Sequence, residues 1–196
     1  MKLGVKGEEE FIGRGVSYCA VCDGAFYKDK VVAVVGGGNS AVEEAIYLTK
    51  FASKVYIIHR RDELRADKII QNRATKNEKI EFVLNSVVCE IQGQDLVNNL
   101  ILKNTKTDEM FNLAVDGVFP YIGITPNVEN ISGQITQDKA GFIITDETMK
   151  TSIDGVFAIG DVRKTPLRQV ITAASDGAIA GVYAVKYIES LKEITV

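Results

Sequence analysis

A single histidine, His59, stands among 196 residues. That scarcity removes Ser-His-Asp and Cys-His mechanisms unless His59 itself serves, and the adjacent Arg60 argues against such a role. Cysteine is almost as scarce, at three. A closed zinc site takes four ligands. Beyond Cys19 and Cys22 only Cys89 and His59 are left, far off and in strand-like surroundings. Tryptophan is missing altogether. No run reaches the ~18 apolar residues of a membrane helix. The opening stretch, Met1 to Glu10, has no apolar core of the signal-peptide kind. A cytoplasmic location with no membrane partner is therefore expected. The net charge of −3 offers no broad attraction to nucleic acid or anionic lipid, so neither is expected as a partner.

What is present begins with Val31-Val32-Ala33-Val34-Val35, a short β-branched run ended by glycines. It reads as a buried parallel strand. The apolar positions from Ser40 to Lys50 follow a helical stripe. Lys54 to His59 reads as a second strand, Leu64 to Lys76 as a helix and Ile80 to Leu84 as a third strand. Short strand-like runs at Val87–Ile91, Leu100–Leu102 and Met110–Leu113, parted by turn residues, predict an antiparallel meander. Cys89 is expected in its core. Gly117 to Ile122 returns as a strand. Gly123-Ile124-Thr125-Pro126-Asn127 is punctuated like a linker. Beyond it, Phe142–Thr145 and Val156–Ile159 are strand-like, and Gln169–Leu191 is a long helical pattern rich in small residues. The fold class is α/β: a Rossmann-like three-layer nucleotide-binding domain with an antiparallel β meander over 1–122, and a second segment over 123–196.

Two motifs carry chemistry. Gly36-x-Gly38-x-x-Ala41, with Asn39 and Ser40 between, follows a strand and opens a helix. The first glycine allows the tight turn and the second lets a pyrophosphate approach the backbone. The small third residue permits close packing, and the helix N-terminus favours the anion. An NAD-binding fold places a carboxylate after its second strand, to hold the ribose 2′-hydroxyl. This chain has His59-Arg60-Arg61 there, with Arg65 shortly after. Guanidinium forks suit a 2′-phosphate, so NADPH is the expected coenzyme. The alternative is a solvated basic patch offset by Asp62 and Glu63.

The second motif is Cys19-Ala20-Val21-Cys22-Asp23. Its spacing is that of a dithiol–disulfide couple, in which one thiol is commonly acidified. Asp23 is placed to pass a proton to the leaving thiolate. Half a zinc site and an inert buried pair are the alternatives.

Together these residues resemble the bacterial NADPH-dependent thioredoxin reductases of the low-molecular-weight flavoprotein type. The resemblance is carried by Ser17–Gly24, Gly36–Ala41, His59–Ala66, Thr151–Val162 and Arg168-Gln169-Val170-Ile171, in order along nearly the whole chain. It implies electron flow from NADPH through FAD to a Cys19–Cys22 disulfide and on to thioredoxin. Cys22 would face the flavin, Cys19 would attack the protein substrate, and Asp23 would act as acid and base. Gly160-Asp161 would meet the ribityl chain of FAD, and the helix opening at Gln169-Val170, next to Arg168, its pyrimidine edge.

By the same resemblance, residues 123–196 form the C-terminal part of a FAD-binding domain. Members of that family begin with an FAD-binding βαβ unit carrying a glycine fingerprint of its own. This sequence starts where their first linker would lie, and its one such fingerprint belongs to NADPH. Only half of an FAD site is expected, with little or no activity from the chain alone, and a homodimer or a complementing FAD-domain chain is the expected partner. Two other readings remain: a nucleotide-binding module without activity, and a sister flavoprotein serving a peroxiredoxin. The Arg60-Arg61 pair weighs against the latter, which resembles an NADH user.

Overall fold

The structure, a computed structural model, describes residues 1–131 and 133–194. Ser132 and the last two positions of the expected 123–196 segment lie outside them. Two compact units are distinguished, Met1–Ile124 and Thr125–Val196.

In the first unit a single helical turn, α1 (Ala20–Asp23), precedes β1 (Val31–Val35), α2 (Asn39–Leu48), β2 (Lys54–Ile58), α3 (Lys68–Thr75) and β3 (Ile80–Val83). Then come β4 (Ser86–Gly93), β5 (Val97–Asn104), β6 (Met110–Ala114) and β7 (Gly117–Pro120). The parallel sheet has the order β3-β2-β1-β7, and β4-β5-β6 form an antiparallel sheet. Alternation along the central strand explains the layering. Val32 and Val34 of β1 join Val55, Ile57 and Phe119 in a core with Ala41, Val42, Ala45 and Leu48 of α2. Ala33 and Val35 point the other way and pack with Val88, Ile91, Val97, Leu100 and Leu102 of the meander. Helices, parallel sheet and meander thus make three layers, as the sequence pattern predicts.

Three local readings need correction. The helix expected from Leu64 begins only at Lys68, because the Arg65 and Ala66 amides are spent on the carbonyl of Gly37. Cys89 is not a core residue of the meander. It is half-buried at a bulge, where the register with β5 skips from Val88 to Glu90. The strand-like runs of the second unit do not form ladders. Ile143 and Phe157 make only isolated bridges, to Gln137, Arg163 and Lys150.

The second unit is built instead from turns closed by side chains and from the long helix α4 (Val170–Ile194). Asp146 caps its own turn by accepting from the amides of Thr148 and Lys150. Val156 and Ile159 are exposed, as are Val170, Ile171, Val182, Val185 and Ile188 along α4. Among the described residues no helix is long and apolar enough to cross a membrane.

Candidate active site

The glycine turn lies between β1 and α2. A Cβ on Gly36 would collide with the carbonyl oxygen of Tyr121 and crowd Ala41, and one on Gly37 would run into the imidazole of His59. Gly38 differs: a Cβ there would meet nothing within 4 Å. Gly38 is also the N-cap of α2 and supplies no side-chain cap. The first amides of a helix lack intrahelical partners. A ten-residue helix therefore presents an uncapped N-terminus beside an open glycine, which suits a pyrophosphate. Ser40 is exposed on that turn, and Ala41 is buried against the sheet. Asn39 is occupied: its amide group donates to Asp67 at 2.8 Å and accepts from the Asp67 backbone at 2.8 Å.

Residues 59–66 wrap around this turn. Gly37 accepts hydrogen bonds from the amides of Arg65, at 2.7 Å, and Ala66, at 3.0 Å. The amide of Asn85 donates to the carbonyl of Arg61, and the Thr105 hydroxyl to that of Arg60. Arg60, Arg61 and Arg65 are exposed, and among the described residues none of their side chains is hydrogen-bonded or ion-paired. Asp62 does not offset them, since it pairs with Lys106 at 2.8 Å. His59 is 5% exposed and its Nε2 is buried without a hydrogen-bond partner. Burial first, and then the positive charge of Arg65, Arg61 and Arg60, holds its pKa below the ordinary value.

Cys19, the N-cap of α1, and Cys22 within it are joined in a disulfide. Cys22 is exposed and Cys19 half-buried. The Cys22 amide donates to Cys19 Sγ at 3.1 Å. Ser17 ties the motif together: its hydroxyl donates to Asp23 at 2.7 Å and accepts from the Cys19 amide at 3.2 Å. No group of metal-ligating side chains occurs among the described residues.

Several residues at this site carry no signal in the sequence. Buried Glu8 accepts from the amides of Leu3 and Gly4 and from the Tyr18 hydroxyl at 2.9 Å. Burial, followed by the bond to Glu8, pushes the Tyr18 phenol up to about 12. The Tyr121 hydroxyl accepts the Ala20 amide hydrogen at 2.9 Å. These contacts use common residue types at irregular separations, from 4 residues for Gly4–Glu8 to 101 for Ala20–Tyr121, so no periodic pattern marks them.

In the second unit Gly160 and Asp161 form a 3₁₀ turn with Val162. Asp161 is exposed. The Gly160 amide donates to Asp176 of α4 at 3.0 Å, and Asp176 also takes a bidentate pair of hydrogen bonds from Arg163. That pairing holds the Asp176 carboxyl below the usual range. The Arg168 guanidinium lies 4.2 Å over the Phe142 ring, with its Nε buried and unpartnered. The Gln169 amide donates to the Thr172 hydroxyl, and Val170 opens α4 almost fully exposed.

Residues 1–177 match the pyridine nucleotide-disulphide oxidoreductase family. The chain belongs to that family. Within it, the chain is similar to thioredoxin reductases. It is 52% identical over 193 residues to the thioredoxin reductase of Listeria innocua, covering 98% of this chain and 60% of that protein. The crystal structure of thioredoxin reductase from Streptococcus pyogenes has 55% identity and a TM-score of 0.92, over 97% of this chain and 62% of the other. A thioredoxin reductase from Giardia duodenalis has 39% identity and a TM-score of 0.86, over 96% and 62%. The chain spans about 60% of the length of the curated oxidoreductases it matches.

Proposed function

We propose that this chain carries the coenzyme and dithiol parts of an NADPH-dependent thioredoxin-disulfide reductase. The observation that carries the reading is the joint geometry of residues 36–41 and 59–66. An uncapped helix start and three unpaired arginines are strapped to one glycine turn. The turn takes the pyrophosphate of NADPH, and Arg60, Arg61 and Arg65 take its 2′-phosphate. This is residues 1–122 acting as the nucleotide-binding domain.

The redox pair is Cys19–Cys22. Two electrons and two protons open its disulfide to a dithiol. The Cys19 thiolate then attacks a disulfide of thioredoxin and forms a mixed disulfide. Cys22 resolves it by attacking Cys19, which re-forms the internal bond and releases reduced thioredoxin. Asp23, held by Ser17, receives and returns protons at the cysteine sulfurs.

FAD, when bound, would supply the two-electron relay between nicotinamide and disulfide. The flavin end of such a cofactor fits residues of the 123–196 segment. Arg168 offers a buried, unpartnered Nε, Asp161 an exposed carboxylate, and the start of α4 at Gln169 and Val170 a positive helix end. The ADP half would need a second glycine turn, and this sequence holds one, serving NADPH. The chain alone therefore binds NADPH, holds FAD weakly or not at all and has little or no thioredoxin reductase activity, until an FAD-binding chain completes it. An ultraviolet–visible spectrum of the purified chain with an NADPH titration tests this. Colourless protein that binds NADPH and turns yellow on adding the complementing unit is the expected result. Stoichiometric FAD and full turnover from this chain alone would contradict the half-site.

A further inference from the structure

We propose that Tyr121 is a positioning residue for the redox pair: its hydroxyl holds the α1 turn in place when the Cys19–Cys22 bond opens. The proposal rests on the reading of Cys19–Cys22 as a working couple.

A helix of one turn has no stability of its own, because nucleation fixes several residues for very few hydrogen bonds. In the oxidised chain the disulfide closes α1 across Cys19 and Cys22. Reduction breaks that bond, adds two electrons and two protons, and removes the covalent tie. The bond from the Ala20 amide to the Tyr121 hydroxyl does not involve sulfur. It persists in either oxidation state and links the turn to a residue 101 positions away.

Tyr121 is well placed to serve as the fixed point. Its amide donates to the Val35 carbonyl at 2.7 Å, and its own carbonyl lies against Gly36. Its ring packs into the helix-side core. Ala20 is fully buried, so water does not replace a missing partner for its amide, and an unpaired buried donor is costly. The phenol stays neutral at working pH. Burial, with Glu44 and Asp23 nearby, pushes it up to about 12 even though the Ala20 amide acts in the opposite direction. Tyr121 thus joins the coenzyme turn, through its backbone, to the dithiol, through its hydroxyl.

The test is Tyr121→Phe in the full chain, equilibrated in glutathione redox buffers, with the dithiol fraction trapped by alkylation and weighed. The expected result is a shift toward the dithiol of roughly three- to tenfold, because the closed disulfide bears the whole cost of the unpaired Ala20 amide while the opened turn relaxes to relieve it; tenfold is about 30 mV for a two-electron couple. NADPH affinity is read alongside and is expected to stay within about twofold. An unchanged equilibrium in a folded variant overturns the proposal. A wild-type pair that fails to titrate overturns the redox reading itself, and the positioning role with it. Amide hydrogen exchange on the wild-type chain provides a check that needs no variant. The Ala20 amide is expected to stay protected after reduction, and rapid exchange there would refute the role.

Discussion

The amide of Arg65 donates to the carbonyl of Gly37 at 2.7 Å, so the arginine segment and the glycine turn are one hydrogen-bonded piece. In the proposed NADPH site, pyrophosphate recognition and 2′-phosphate recognition are therefore mechanically linked. Replacing Arg60 and Arg61 by alanine is expected to weaken NADPH binding by more than about 1.5 kcal/mol, the low side for a hydrogen bond to a charged group. NADH binding should barely change. Fluorescence titrations with the two coenzymes check this, and equal losses for both would remove the arginines from the 2′-phosphate.

Gly37 and Gly38 separate folding from binding. Gly37→Ala drives a methyl into the His59 ring and is expected to cost about 1–3 kcal/mol of stability, as overpacking does. Gly38→Ala meets nothing in the structure. Its melting temperature should match the parent, while NADPH affinity falls roughly tenfold because the methyl occupies the pyrophosphate's approach. Thermal melts and coenzyme titrations of both variants make the comparison.

Thiol counting addresses the redox pair. Air-oxidised chain, unfolded without reductant, should show one reactive thiol, Cys89, and all three after reduction. Three thiols in the oxidised sample would show that the Cys19–Cys22 bond does not form.

Two groups that each carry a buried, unpartnered polar atom titrate in opposite senses. The pKa of His59 is lowered on folding, so the unfolded chain binds its proton more readily. Its contribution to stability is complete above the ordinary value of 6.5 and is lost as pH falls below it, toward the folded pKa. His59→Asn should flatten that acid limb in melts across pH. Glu44 on α2 has one carboxylate oxygen buried without a partner, and burial, then Glu43, raises its pKa above 4.5. Its contribution is present below 4.5 and is lost as pH rises through the folded pKa. Glu44→Gln should therefore raise the melting temperature at pH 8 and leave it unchanged at pH 4.

The β1–α2–β2 unit was legible because its signals are local: a β-branched run, glycines at fixed offsets and a helical stripe. The layering followed from the alternation of Val32 and Val34 against Ala33 and Val35. Leu64–Asp67 misled because the stripe is helical in pattern while the Arg65 and Ala66 amides have a better acceptor in Gly37. Val156–Ile159 misled because apolar, β-branched residues read as a strand wherever they fall, and Phe157 finds one bridging partner, Lys150, where a ladder needs several. The Asp176–Arg163 pair and the Ala20–Tyr121 bond were invisible for another reason. A hydrogen bond between distant, ordinary residues leaves no periodicity to detect.

The turn between β5 and β6 reaches across to the arginines. Thr105 holds the carbonyl of Arg60, the Thr105 amide holds Asn85, Asn85 holds Arg61, and Lys106 draws Asp62 aside. The meander thus works as a trellis for the arginine loop. A protein engineer could regrade the preference between phosphorylated and plain nicotinamide coenzymes by reshaping a hairpin in the second sheet, with every arginine left in place.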